Sequence, residues 1–324
     1  MKKFFFVLLC VAAVFVFGSC KKKGTAQQNI NFPDHEITVI CPWAEGGGTD
    51  AILRALCKSA EKYLGVPVKV DNRTGGAGAI GHAAIKDARP DGYTLGMITF
   101  ELNSLPPQKL IGFTYRDYDP LMRVNADAAT LTVSANAPYN TVQEFVDYCK
   151  AHPDEVSIGN SAPGSVWHIG AALLANLTGI VVNHVPFEGA AGAVAAVANG
   201  QIEAVTVSLP EVKAELDKGK VKVLGIMANN RSESYPDIPT FKDQGFGIDY
   251  ATWRGLALPI GVDPAIKAIL FNAFTKAEND PEFLNEAARL NLQPAYQNSV
   301  DFAVFLKQNY DNVERTMKSI GLAN

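Results

Sequence analysis

ITVICPWAEGGGTDAILRALCKSAEKYL, residues 37–64, changes its hydrophobic period partway along. Ile37-Thr38-Val39-Ile40 is β-branched and reads as a strand. Three glycines follow, and then Ile52, Leu53, Leu56, Ala60 and Leu64 recur at the spacing of one helical face. The figure repeats at once. Val66–Val70 reads as a strand, residues 71–78 as a second glycine loop, 79–88 as a helix and 93–98 as a third strand. A β-α-β-α-β order calls for a parallel sheet with helices on both faces, because right-handed crossovers return each strand beside the last.

A second series of the same kind begins near residue 129. Strands are expected at 129–134, 156–159, 181–186, 203–207 and 221–227, with helices at 141–151, 166–178, 190–199 and 210–218. A turn-rich stretch from Asn229 to Pro239, a strand at 250–258 and helices near 264–278, 281–289 and 299–319 complete the pattern. The 324 residues suit two cores at roughly 150 residues per domain. The expected fold class is therefore α/β, with two units that are each a sheet flanked by helices.

Forty-eight per cent apolar and 19% charged residues exclude a disordered or fibrous chain. The net charge is −4; without the first nineteen residues, which hold Lys2 and Lys3, Lys+Arg falls from 29 to 27 against 33 acids, near −6. That balance argues against a nucleic-acid partner, whose binding rests on clustered Lys and Arg.

Met1-Lys2-Lys3 precedes an apolar run from Phe4 to Phe17 and the small residues Gly18-Ser19 before Cys20. A basic start, a short apolar stretch and small residues at a cut site make an export signal. The run is shorter than the roughly 20 residues a membrane-crossing helix needs. The segment before Cys20 resembles the bacterial lipoprotein box, so residues 1–19 read as signal, Cys20 as the lipidated residue and 20–33 as a flexible tether. A secretory signal with a chance cysteine is the alternative. The remaining Cys41, Cys57 and Cys149 have no metal spacing and read as buried thiols rather than a disulfide. His35, His82, His152 and His184 likewise lack metal spacing.

Four strand-to-helix turns carry the candidate chemistry, at the strand ends where open α/β sheets take ligands. The first, Pro42–Asp50, exposes backbone amides at a helix start and reads as an anion seat, with a tight turn and helix cap as the alternative. It lacks the Lys-Ser/Thr ending of a P-loop. The second, Asn72–Gly81, holds a literal GxGxxG at Gly76, Gly78 and Gly81, with Glu101 at the distance of a ribose-binding acid. Against a dinucleotide enzyme, five residues separate the strand end from Gly76, and the unit is the second of its sheet. The third, Asn160–His168, brings Ser165 and His168 to one helical turn; no G-x-S-x-G elbow supports a hydrolase. The fourth is Val185–Gly192.

These loops together resemble the substrate-binding proteins of tripartite tricarboxylate transporters, the TctC-like or Bug family. The resemblance rests on Pro42–Asp50, Asn72-Arg73 with its glycines, Pro90–Leu95, Gly164-Ser165 with His168, His184–Phe187 with Gly189, Tyr235–Thr240, and Trp253 before Gly255–Pro259. It implies a two-lobed, type II periplasmic-binding-protein-like clamshell with a hinge of two crossing strands. Lobe 1 would be discontinuous, 34–125 and 229–324, and lobe 2 would be 126–228. It also implies capture of a small carboxylate, delivered to integral-membrane permease subunits by a monomer without cofactor or catalysis. By position the resemblance points to Ala44, Gly47, Gly48, Thr49, Ser161, Ser165, His168, Phe187, Gly189 and Ala190, with Trp43, Glu45, Gly76 and Ser208 completing the candidate set. Glu45 stands where the family's loop commonly has proline, and Val207-Ser208 where many members have Asp-Asn, which favours a ligand without an amino group. A sensory protein reporting to a signalling partner is the competing class, ahead of the dinucleotide enzyme.

Overall fold

The computed structural model describes residues 31–232 and 234–323; the expected signal and Cys20 lie outside the described residues. The first series runs β1 (Ile37–Cys41), α1 (Gly48–Leu64), β2 (Val68–Asn72), α2 (Ala79–Lys86), β3 (Thr94–Thr99), the single turn α3 (Glu101–Ser104) and β4 (Tyr118–Ala128). The second runs β5 (Thr130–Ser134), α4 (Val142–Ala151), β6 (Ser157–Asn160), α5 (Val166–Thr178), β7 (Asn183–Pro186), α6 (Ala190–Ala198), β8 (Ala204–Val205), α7 (Leu209–Asp217) and β9 (Val221–Ile226). Then come β10 (Ala251–Pro259), α8 (Pro264–Glu278), α9 (Pro281–Arg289), β11 (Pro294–Gln297) and α10 (Ser299–Ser319).

Two sheets result, a six-stranded one in the order β11-β4-β10-β3-β1-β2 and a five-stranded one in the order β7-β6-β8-β5-β9. The expected parallel pairing holds only where a helix crosses over, in β2-β1-β3 and β7-β6-β8. Elsewhere the sheets are antiparallel, so each is mixed. The reason is the route of the chain. β4 leads out of the first sheet directly into β5, and β10 brings the chain back to lie antiparallel against β4 along its length. At the passage the strands stay tied. Ala129 N–H donates to Tyr250 O at 2.8 Å, Met227 N–H to Ala129 O at 2.8 Å and Tyr250 N–H to Met227 O at 2.9 Å.

The period reading of residues 37–64 places side chains as expected. Ile52, Leu53, Leu56 and Ala60 of α1 are buried, in one core with residues of α8 and α9. Each such fully buried Leu or Ile contributes about 1.5–3 kcal/mol relative to exposure. The aromatics of α10 belong to the core: Phe302 and Phe305 meet Trp253 edge-on, with ring centroids 5.7 and 5.8 Å apart. Cys41, Cys57 and Cys149 are free and buried; burial pushes the Cys41 and Cys149 thiols up to about 12, so they stay protonated.

Candidate functional site

The loop after β1 is fixed by a carboxylate behind it. Asp50 accepts from Gly46 N–H (3.0 Å), Arg54 Nε (3.0 Å) and Asn72 Nδ2 (2.9 Å), and Asn72 Nδ2 also donates to Trp43 O at 2.8 Å. Burial opposes ionisation of Asp50, but these donors hold its pKa below the usual range. Gly46 has φ +82°, a conformation that favours glycine. Gly47 is the N-cap of α1 with φ −78° and contributes no side-chain cap. The amides of Gly48, Thr49 and Asp50 consequently have no partner among the described residues.

A cavity opens against this loop, with an empty volume of about 500 Å³ including its mouth. Residues from both sheets line it: Trp43, Ala44, Glu45, Gly47, Gly48 and Thr49 on one side, Ser161, Gly189 and Ala190 on the other. A second helix start faces it. α6 begins at Gly189 without a side-chain cap, and the amides of Ala190 and Ala191 also have no partner among the described residues. Glu45 lies at the mouth, 78% exposed and 3.4 Å from Arg54, so its charge is turned to solvent.

The cavity's positive charge comes from a residue the loop-centred sequence reading did not single out. Arg254 lies mid-strand in β10, and its side chain is 3% exposed. Its Nε donates to Thr49 Oγ1 at 2.7 Å and its Nη1 to Asp127 Oδ2 at 2.6 Å. Nη2 has only Glu211, 3.9 Å away, beyond hydrogen-bond distance. One face of a buried guanidinium is therefore left with unspent donors beside Gly48, where an added Cβ would lie 3.1 Å from Nη2. Two further carboxyls line the cavity. Glu101 accepts from Thr99 Oγ1 (2.5 Å) and Val166 N–H (3.0 Å), and Glu211 accepts from Ser208. Burial raises the pKa of both, with Arg254 pulling the other way.

A second cavity adjoins the first and shares Trp43 and Ser161 with it. Gly76 and Phe187 line this one. Gly81, the last of the GxGxxG glycines, serves packing: a Cβ there would lie 2.5 Å from Pro42 Cα and 2.7 Å from Arg73 O, so α2 can approach the first loop only with glycine at that position. Glu101, which the spacing marked as a ribose acid, instead closes the first cavity.

Ser165, His168 and Ser208 line neither cavity. Ser165 is buried as the N-cap of α5, taking a hydrogen bond from Ser161 Oγ at 2.9 Å and one from His168 N–H. His168 turns back on its own loop, with Nδ1 accepting from Gly164 N–H at 2.9 Å. Ser208 is held in a capping box with Glu211 at the start of α7. The signal that could have found Arg254 is periodic: Thr252 and Arg254 share one face of a strand whose alternate positions, Trp253, Gly255 and beyond, are apolar.

Two sheets joined by paired strands, with a cavity between them, match the comparisons with known proteins. The family described as "Tripartite tricarboxylate transporter family receptor", TctC, matches residues 52–322. The chain belongs to that family. A TctC solute-binding protein from Polaromonas is 35% identical, with 89% of this chain and 99% of that one covered and a TM-score of 0.68. MatC from Rhodopseudomonas palustris, solved with bound malate, is 26% identical over 88% of this chain and 99% of its own, with a TM-score of 0.81. The UPF0065 protein in the gbd 5′ region of Cupriavidus necator is 29% identical over 313 residues, 96% of this chain and 95% of the relative. TctC proteins are exported solute-binding proteins rather than enzymes, and the two-lobed α/β fold expected from the sequence is the fold of the family.

Proposed function

We propose that this TctC protein captures a small carboxylate in the cavity between its sheets and hands it to the permease subunits of a membrane transporter. The observation that carries the reading is the convergence on one cavity of two uncapped helix starts, α1 and α6, and a buried arginine with unspent donors. Helix N-termini carry partial positive charge and free N–H groups. A guanidinium adds planar donors that suit a carboxylate. The malate held by the related MatC accords with this chemistry. We assign lobe 1 to 34–125 with 229–324 and lobe 2 to 126–228, Cys20 as a lipid anchor at the cell envelope, and a monomeric state.

A thermal-shift screen of malate, citrate, adipate and simple monocarboxylates tests the central reading. A ligand at 100 times its Kd adds about 2.7 kcal/mol to the native state. No shift with any acid, alongside a shift with neutral or cationic solutes, would overturn it. Recovery of each bound acid chemically unchanged is the second expected result. Mass spectrometry of the mature N-terminus tests the anchor: an unacylated Cys20 would remove it.

A further inference from the structure

The two adjoining cavities differ in chemistry. The first holds Arg254 and the open amides of α1 and α6. The second is walled by the glycine loop 74–78 and by the apolar side chains of Leu105, Leu110, Pro163, Pro186 and Phe187. Its lining contains no lysine, arginine or histidine, and its one charged residue is the acid Glu188. The helix that opens onto it, α2, has its first two amides already engaged: Ala79 N–H donates to Gly76 O at 3.1 Å and Ile80 N–H to Gly75 O at 3.4 Å. Trp43 and Ser161 belong to both linings, so the two cavities meet at these residues.

We propose that the carboxylate ligand is a monocarboxylate with an apolar body, its carboxylate in the first cavity and its aliphatic or aromatic body in the second, past Trp43 and Ser161. The inference rests on the carboxylate-binding reading above and narrows its substrate class. Charge matching is the reason. Arg254 is the only cationic side chain in either lining, and it can meet one carboxylate. A second carboxylate at the far end of the ligand would leave water for a space with no cation, beside Glu188, which is costly for an unpaired ion. Placed in the first cavity instead, it would join Glu101 and Glu211 around one guanidinium. An apolar body meets the opposite situation, since the second cavity offers it removal from water against carbon walls.

Calorimetry with matched pairs on the mature protein tests this: hexanoate against adipate, and benzoate against terephthalate. In each pair the monocarboxylate should bind at least tenfold more tightly. Leu110, 57% exposed at the rim, allows a converse test without disturbing the core. Leu110→Lys should raise adipate affinity at least fivefold and weaken hexanoate binding. A dicarboxylate that binds wild type as well as its monocarboxylate partner overturns the inference and leaves the carboxylate reading standing. If Leu110→Lys does not favour adipate, the body does not lie in the second cavity and the placement falls. If none of the four acids binds, and neither malate nor citrate does, both readings fall together.

Discussion

Two kinds of helix start meet in this molecule. α5 and α7 begin with serine caps, Ser165 and Ser208, whose hydroxyls and neighbouring carboxyls occupy local donors. α1 and α6 begin with Gly47 and Gly189, which offer no side-chain cap. All four follow strand ends and contribute a residue to the first cavity's lining: Gly48, Val166, Ala190 and Glu211. Capping stabilises a helix by about 1 kcal/mol, so leaving two starts uncapped forgoes stability. On the function proposed above, the difference separates scaffold from site: capped starts hold the wall, and uncapped starts keep amides available to an anion. Ser165 and Ser208 have protein partners for their hydroxyls, whereas Ser161, in the loop before α5, lines both cavities.

The comparison breaks most severely at Arg254, which joins the uncapped start of α1 to β4. Replacing it with Met leaves Asp127 buried and without its cation, and removing one partner of a buried pair costs about 3–5 kcal/mol. Arg254→Met should lower the urea midpoint accordingly and abolish carboxylate binding; Arg254→Lys should fold better yet still bind weakly, because an ammonium cannot present the same planar donors. Retained affinity in a folded Arg254→Met protein would mean that the amides suffice alone.

Gly48→Val comes next. Its Cβ would sit 3.1 Å from Arg254 Nη2 and 3.4 Å from Glu211 Cγ, filling the point where anion, amides and guanidinium meet. Affinity should fall about 100-fold, roughly 2.7 kcal/mol. Gly47→Val should be milder, since its Cβ would meet only Ala44 O at 3.5 Å and its φ is ordinary. Equal losses at both positions would move the anion toward Gly47.

The fold was legible where one hydrophobic period ran unbroken, as in α1, and where glycines marked the turns. β4 was not: Asp119, Pro120, Arg123, Asn125 and Asp127 interrupt its apolar positions, because this strand carries the passage between sheets and has polar groups to place there. β11, four residues long, is too short for a periodic signal. The first loop and the fourth, whose residues line the first cavity, were legible as strand-to-helix turns because glycine at a helix start is a local property. Arg254 was missed because its role depends on register. Thr252 pairs with Asp127 and Arg254 with Asn125 across β10 and β4, and no single strand reveals that meeting.

On the capped side, acid should act through His168. Burial, with His184 adding to it, pushes this imidazole down to about 4. An unfolded histidine titrates near 6.5. Between those values the unfolded chain takes up a proton that the folded chain refuses, so the contribution is complete above about pH 6.5 and is lost as pH falls toward 4. For a half-buried group this is on the order of 1–2 kcal/mol after allowing for solvent screening. His168→Gln should show a smaller drop in urea midpoint from pH 7 to pH 5 than wild type; parallel drops would refute the assignment. Ser165→Ala should cost about 1 kcal/mol of stability and change affinity no more than about threefold.

The smallest effect is expected at Arg73, the one arginine in the four turns, which contain no lysine. A loop-centred view of anion binding makes it the natural counter-ion, and the structure gives it another partner. Its Nε lies 2.8 Å from Asp71 Oδ2, both side chains are more than 40% exposed, and it lines neither cavity. Exposed pairs of this kind contribute about 0–1 kcal/mol and are screened by salt. Arg73→Ala should therefore leave carboxylate affinity within about twofold by calorimetry, at low and at high salt, while Gly48→Val weakens it about 100-fold and Arg254→Met removes it. A tenfold loss in Arg73→Ala that disappears at high salt would show that long-range attraction from this surface charge contributes to binding. The distinction between open helix starts and the rest of the surface would then have to be redrawn.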